Sequence, residues 1–284
     1  MFRKLSYDEH QGDLDAACRW LGIERGRALQ YGKLLEKLYK KNRRSTEHIL
    51  AYAESCEIVD VYKLWERRID DFPGLYEKIR AALRKGPLLR EYEKPAVSSN
   101  RPRNDAFVYI VAGTFFKAGI RIVAVEGVPA RHAASGSKAD CTFECGGCLI
   151  DVECKRPQSD KKLVPLVKKA LQQITSTSRR GRRGVIALDC SVLVRPAGHL
   201  LERESPEAAE PQISSWLEEK VLPGVIPCLT NSILGCVLFA RVPAMIRLGN
   251  DEPSRRRDCV SAWLVYGDAL RCIAKRLDEA VDPS

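Results

Sequence analysis

The sequence contains no apolar run near the roughly 18 residues that a membrane-crossing helix needs, so a helical membrane protein is excluded. Its opening residues, Met1 to His10, lack the apolar core of a secretory signal, which makes a cytoplasmic location the expectation, or a nuclear one in a host with a nucleus. The absence of any internal repeat or low-complexity tract removes solenoid and fibrous architectures. Acidic charge is in deficit: 37 Asp+Glu stand against 47 Lys+Arg, a net charge of +10. That excess favours a partner with a negative surface, nucleic acid before anionic membrane.

What is present suits a soluble globular chain. There are 284 residues, 45% apolar and 30% charged, enough for one large or two modest domains. Eleven cysteines do not imply a disulfide framework in a reducing compartment, and an odd number cannot pair completely within the chain. Buried small hydrophobes are the better reading for them.

Residues 1–97 read as a helical N-terminal domain. Ile49, Tyr52, Ala53 and Cys56 recur at helical spacing, and Val61, Leu64 and Trp65 continue the stripe in what reads as a second helix. Ser45 is the expected N-cap, and the Asp71-Phe72-Pro73-Gly74 and Gly86-Pro87 segments break the pattern. Residues 98–103, polar and proline-bearing, read as a linker. The remainder, 104–284, reads as an α/β domain with its core in 104–194 and a C-terminal extension.

Within that core Asn104 is placed to cap a helix running to Ala118, with Gly119 to stop it. Ile120 to Val125 alternates as a strand, and Asp140 to Glu144 and Leu149 to Lys155 are two more, joined by a Gly146-Gly147 turn. A helix from Leu163 to Ile174 and a strand from Val185 to Cys190 follow. Further on, Glu202 to Glu210 reads as an acidic loop, Ile213 to Val221 as a short helix, Ile233 to Val242 as a strand, and Val260 to Leu277 as a strand and helix.

The chemistry concentrates on the third strand. Residues two apart share a strand face, so Glu153 and Lys155 project together while Ile150, Val152 and Cys154 face the core. The spacing alone carries little information, but the hairpin adds to it. A two-residue Gly146-Gly147 turn pairs Cys145 with Cys148 and, counting outwards, places Asp140 across from Glu153. Two facing carboxylates repel unless a cation lies between them, and an all-oxygen set suits a hard divalent ion.

Asp140, then Glu153-Cys154-Lys155, within helix–strand–hairpin–helix–strand order, resembles the PD-(D/E)XK nuclease superfamily over roughly residues 104–194. The resemblance implies a restriction-endonuclease-like fold: a mixed sheet flanked by helices, here preceded by a small helical domain. It implies a metal-dependent DNA endonuclease in which Asp140, Glu153 and the backbone carbonyl of Cys154 bind Mg²⁺, with Mn²⁺ as substitute. Lys155 would position or activate the attacking water. Ala139 stands where the family often has proline, and Asp105 is poorly placed for the acid many members carry on the first helix. Gln172, Gln173 and Glu126 are the supporting candidates around the site.

The basic residues crowd the same region, with eleven Lys/Arg against five Asp/Glu from Lys138 to Arg183. Arg156, Lys161, Lys162, Arg179, Arg180, Arg182 and Arg183 are expected to grip phosphates on DNA, with RNA as the other substrate of this chemistry. Lys40 to Arg44 and Arg255 to Arg257 are further basic clusters, and His132 reads first as a plain loop residue, with a DNA contact as the alternative. One site cuts one strand, so a double-strand break calls for a homodimer. The N-terminal helices are the expected dock for DNA, a second copy or a partner protein. A catalytically silent nucleic-acid-binding or assembly module of the same fold is the alternative. The Cys-x2-Cys of Cys145 and Cys148 hints at metal, but Cys154 lies about 20 Å along the strand, too far for one tetrahedral site.

Overall fold

The computed structural model describes residues 7–23, 26–40, 46–85, 101–133, 137–177, 183–195, 201–230, 233–248 and 254–281. The helices are α1 (Tyr7–Trp20), α2 (Arg27–Lys40), α3 (Thr46–Trp65), α4 (Leu75–Arg84), α5 (Arg101–Lys117), α6 (Asp160–Thr177), α7 (Ser191–Val194), α8 (Pro206–Trp216), α9 (Leu222–Val225) and α10 (Arg271–Val281). The strands are β1 (Arg121–Val125), β2 (Val128–Pro129), β3 (Cys141–Cys145), β4 (Cys148–Lys155), β5 (Arg183–Asp189), β6 (Leu201–Arg203), β7 (Ile233–Leu248) and β8 (Ser254–Tyr266). They form one mixed eight-stranded sheet in the order β2-β1-β3-β4-β5-β7-β6, with β8 on the other edge of β7. Pairing is antiparallel from β2 through β4 and parallel from β4 through β5 to β7. No described helix is long and apolar enough to cross a membrane.

Alternation along the central strands sorts their side chains into two cores. Val152, Cys154, Val185, Ala187, Val237 and Phe239 join the core shared with α1 to α5 and α10, whereas Ile186, Leu188, Cys236 and Leu238 join the one under α6, α8 and α9. The N-terminal helices therefore pack on the same apolar core as the sheet. Helix α3 is buried along most of its length, since Ala51 to Val59 all lie inside, and Trp65 donates its indole N–H to the Tyr109 carbonyl of α5 at 2.9 Å.

Several expected boundaries move. The two stripes of residues 49–65 lie on one continuous helix, α3, because no residue between them breaks the backbone ladder. Helix α5 starts at Arg101 instead of after an Asn104 cap; Pro102 is accommodated in a first turn, where its missing N–H costs nothing. The acidic stretch 202–210 is not a loop. It forms β6 and the first half of α8, whose Ser205 cap accepts from Ala208 N–H at 3.1 Å with Pro206 next to it. Ser45, the Gly86-Pro87 break, residues 98–100 and Lys41 to Arg44 lie outside the described residues.

Candidate active site

The site is built on the β3–β4 hairpin. Gly146 (φ 58°) and Gly147 (φ 77°) both occupy the left-handed region, which a two-residue hairpin turn of the primed type requires and glycine adopts without strain. Cys145 consequently pairs with Cys148, Thr142 with Asp151 and Cys141 with Val152, the register expected from the turn. The next step outwards sets Asp140 beside Glu153, and Asp140 Oδ2 accepts from the Cys154 N–H at 2.8 Å.

Lys155 completes the cluster. Its ammonium donates to Glu153 Oε2 at 2.8 Å and to the Cys154 carbonyl at 3.1 Å, and lies 3.6 Å from Asp140 Oδ2. The three oxygens are those that the resemblance would assign to a metal, and they converge on one positive charge. Two carboxylates and a main-chain carbonyl would suit Mg²⁺ or Mn²⁺ better than zinc, because hard oxygens match hard cations. Among the described residues, no three His, Cys, Asp or Glu side chains gather to hold a metal ion. The third oxygen at this point comes from the backbone.

Electrostatics follow the burial. Glu153 is 1% exposed. That burial, and then the charge of Asp140, pushes its carboxyl up to about 7 against the opposing pull of Lys155. For Lys155, burial works to lower the pKa, but Asp140 and Glu153 outweigh it and raise the amine above the ordinary lysine value.

These shifts predict a pH dependence of stability. Glu153 titrates near 4.5 in the unfolded chain and near 7 when folded, so the folded state holds the proton more tightly. Its contribution is fully present below pH 4.5 and is lost as pH rises through about 7, whereas that of Lys155 stays constant across this window. Metal-free wild type should lose about 2–3 kcal/mol relative to Glu153→Gln over that range, read by denaturant titration. Parallel stability curves for the two proteins would refute the assignment.

The segment carrying Asp140 is held by residues outside the predicted site. Asp151, 1% exposed, accepts from Thr142 Oγ at 2.8 Å and Ser137 Oγ at 3.3 Å, and Ser137 Oγ accepts from the Ala139 N–H. The signal was in the register, since Thr142 lies directly opposite Asp151. Glu126 acts through its main chain: its N–H donates to the Asp140 carbonyl at 2.8 Å, and its own carbonyl accepts from Lys78. Gln172 is exposed and Gln173 half-buried on α6; neither bonds Asp140, Glu153 or Lys155. The neighbouring Ile174 lies against Gly184, so this turn of α6 covers the start of β5.

The basic residues divide. Lys161 and Lys162 are exposed in the first turn of α6, at the end of the sheet where Lys155 lies. Arg183 is exposed but opens β5, level with Ile150 and about 16 Å of strand from Lys155. Arg179, Arg180 and Arg182 lie outside the described residues, and for Arg255 to Arg257 only the β8 backbone is described. His132 lines a cleft with Arg121, Arg131 and Glu144 beside β1.

Arg156 contradicts the expectation of a phosphate contact. It is 5% exposed, with its guanidinium 2.7 Å from Glu57 Oε2 on α3 and 2.8 Å from Asp189 Oδ2 at the end of β5. The reason is alternation: Lys155 faces α6, so the next residue turns to the opposite face and under the N-terminal helices. Arg27 joins the same cluster, 3.4 Å from Glu57 Oε1 and bonded to the Leu83 and Ala82 carbonyls.

Fold and site together define an α/β protein with an acid–acid–amine cluster at one end of a mixed sheet, in which Glu153 and Lys155 are buried and Asp140 is half-buried. The chain matches no protein-family model, no curated protein and no solved structure with which it was compared.

Proposed function

We propose that the chain is a divalent-metal-dependent endonuclease of the restriction-endonuclease-like type, hydrolysing phosphodiester bonds in DNA. One observation carries the reading: Asp140, Glu153 and the Cys154 carbonyl converge on one point, with an ammonium in the middle. Asp140, Glu153 and the Cys154 carbonyl would hold the ion, which when bound supplies an acidified water and a Lewis acid for the phosphate. Glu153, with its raised pKa, binds the ion in its ionised form, so apparent metal affinity climbs as pH approaches 7. Lys155, displaced from the carboxylates, is left within reach of the attacking water and of charge building on the phosphate. Lys161 and Lys162 flank that end of the sheet and suit backbone phosphates. A double-strand break would take two such sites, hence a homodimer.

The test is cleavage of supercoiled plasmid, single-stranded DNA and RNA by the full chain with Mg²⁺, with Mn²⁺ and with chelator. Metal-dependent cutting of DNA is the expected result, and intact substrates under every condition would contradict the proposal. A second reading rests on the same ammonium. With Lys155 already neutralising both carboxylates, the cluster would serve as a closed ion pair in a silent binding module. Titration calorimetry separates the two, because the closed pair binds no divalent ion that Asp140→Ala abolishes.

A further inference from the structure

Seven of the eleven cysteines are buried: Cys18, Cys56, Cys141, Cys154, Cys190, Cys236 and Cys259. At the hairpin tip the expectation of buried thiols fails, since Cys145 is half-exposed and Cys148 exposed. Across from Cys145 lies Cys272 on α10, itself exposed, with the two sulfurs 3.5 Å apart although 127 positions separate them in the chain. We propose that Cys145 and Cys272 are a modification site, where exchange with a low-molecular-weight disulfide closes a reversible bond between the β3–β4 hairpin and the C-terminal helix.

The surroundings favour this bond over others. Helix α10 is docked by Ile273 and Leu277, each 1% exposed, and Arg276 donates to the Gly119 carbonyl at 3.1 Å. The sulfurs have only to close from 3.5 Å to about 2.05 Å, within reach of a small χ1 adjustment. Cys148 sits on the same tip as the cross-strand neighbour of Cys145. A second thiol pair, the hydrogen-bonded Cys56 and Cys259, is sealed inside the core at 4% and 6% exposure. It serves as an internal control that a dissolved oxidant cannot reach.

The chemistry balances in two exchanges. The Cys272 thiolate attacks one sulfur of the small disulfide and releases its partner as a thiol. The Cys145 thiolate then attacks the Cys272 sulfur, forms the protein disulfide and releases the second small thiol. Two electrons leave the cysteine pair and reduce the small disulfide, and the two cysteine protons end on the two released thiols. Burial and the shared hydrogen bond push the Cys145 thiol up, with Arg276 opposing, so the more exposed Cys272 makes the first attack.

The experiment is to incubate the folded, reduced chain with glutathione disulfide, block remaining thiols and map cross-linked peptides by mass spectrometry. The expected product is a Cys145–Cys272 link that survives in Cys148→Ser. In Cys272→Ser and Cys145→Ser, reaction should stop at a glutathione adduct or at unmodified protein. The oxidised wild type should melt roughly 5 °C higher than the reduced form, because the bond closes a long loop. Wild-type mapping decides the matter even if a variant fails to fold. A link of Cys148 to either partner, adducts without a cross-link, or oxidation of Cys56 and Cys259 in preference would overturn the proposal.

Discussion

Lys155→Ala is expected to lower metal-dependent cleavage by about 10²–10³-fold or more while tightening divalent-ion binding. The opposite signs come from the geometry. The Lys155 ammonium lies among Glu153 Oε2, the Cys154 carbonyl and Asp140 Oδ2, so it competes with any second cation for those oxygens. Removing it leaves two carboxylates facing each other, which raises their demand for a cation and takes away the charge that would steady the reacting phosphate. Asp140→Ala should lose both activity and binding, since the oxygen that also fixes the Cys154 N–H is gone. Circular dichroism of both variants at low pH, with Glu153 protonated, establishes that they are folded. Calorimetry showing weaker metal binding in Lys155→Ala would count against the proposed ion site, and undiminished cleavage in either variant would end the nuclease reading.

Glu57→Ala should cost about 3–5 kcal/mol of unfolding free energy, the largest loss foreseen for one side chain away from the site. Glu57 is 1% exposed and bridges Arg27 and Arg156, whose guanidiniums are buried to a similar degree. Without it Arg27 keeps its carbonyl partners but loses its carboxylate, and Arg156 loses one of the two carboxylates, Glu57 and Asp189, that neutralise it. The comparison is Glu144→Ala. Glu144 meets Arg121 at 2.8 Å, but the arginine side chain is 65% exposed, so that loss should stay under about 1 kcal/mol. Urea titrations of the two variants measure the difference, and equal losses would show that the buried cluster does not tie α3 to the sheet. Because Arg156 follows Lys155 directly, Glu57→Ala should also loosen the end of β4 that carries the site.

Much of the site was legible because its signals are local. The period-two alternation of β4, the Gly146-Gly147 turn and the residue count between Asp140 and Glu153 are properties of sixteen contiguous residues, and together they set the register. The α/β class and the order of the longer elements from α5 to β5 follow from equally local periodicity, whereas the two-residue β2 is too short to leave such a pattern. Capping was less legible: Ser205-Pro206 opens α8 inside a stretch whose acidity suggested a loop, because charge on a solvated face says little about backbone state.

The sequence by itself determined the hairpin, the face shared by Glu153 and Lys155, and the placement of Asp140 across from them, all consequences of backbone geometry over a few residues. Tertiary structure alone decided that β7 runs beside β5, that α3 packs against the sheet, that Arg156 is spent on Glu57 and Asp189 instead of phosphate, and that Cys272 meets Cys145. Those contacts join residues at least 33 positions apart in the chain. No local pattern marks them: an arginine that neutralises two buried carboxylates and one that grips DNA are the same letter until the opposite face of the strand is covered.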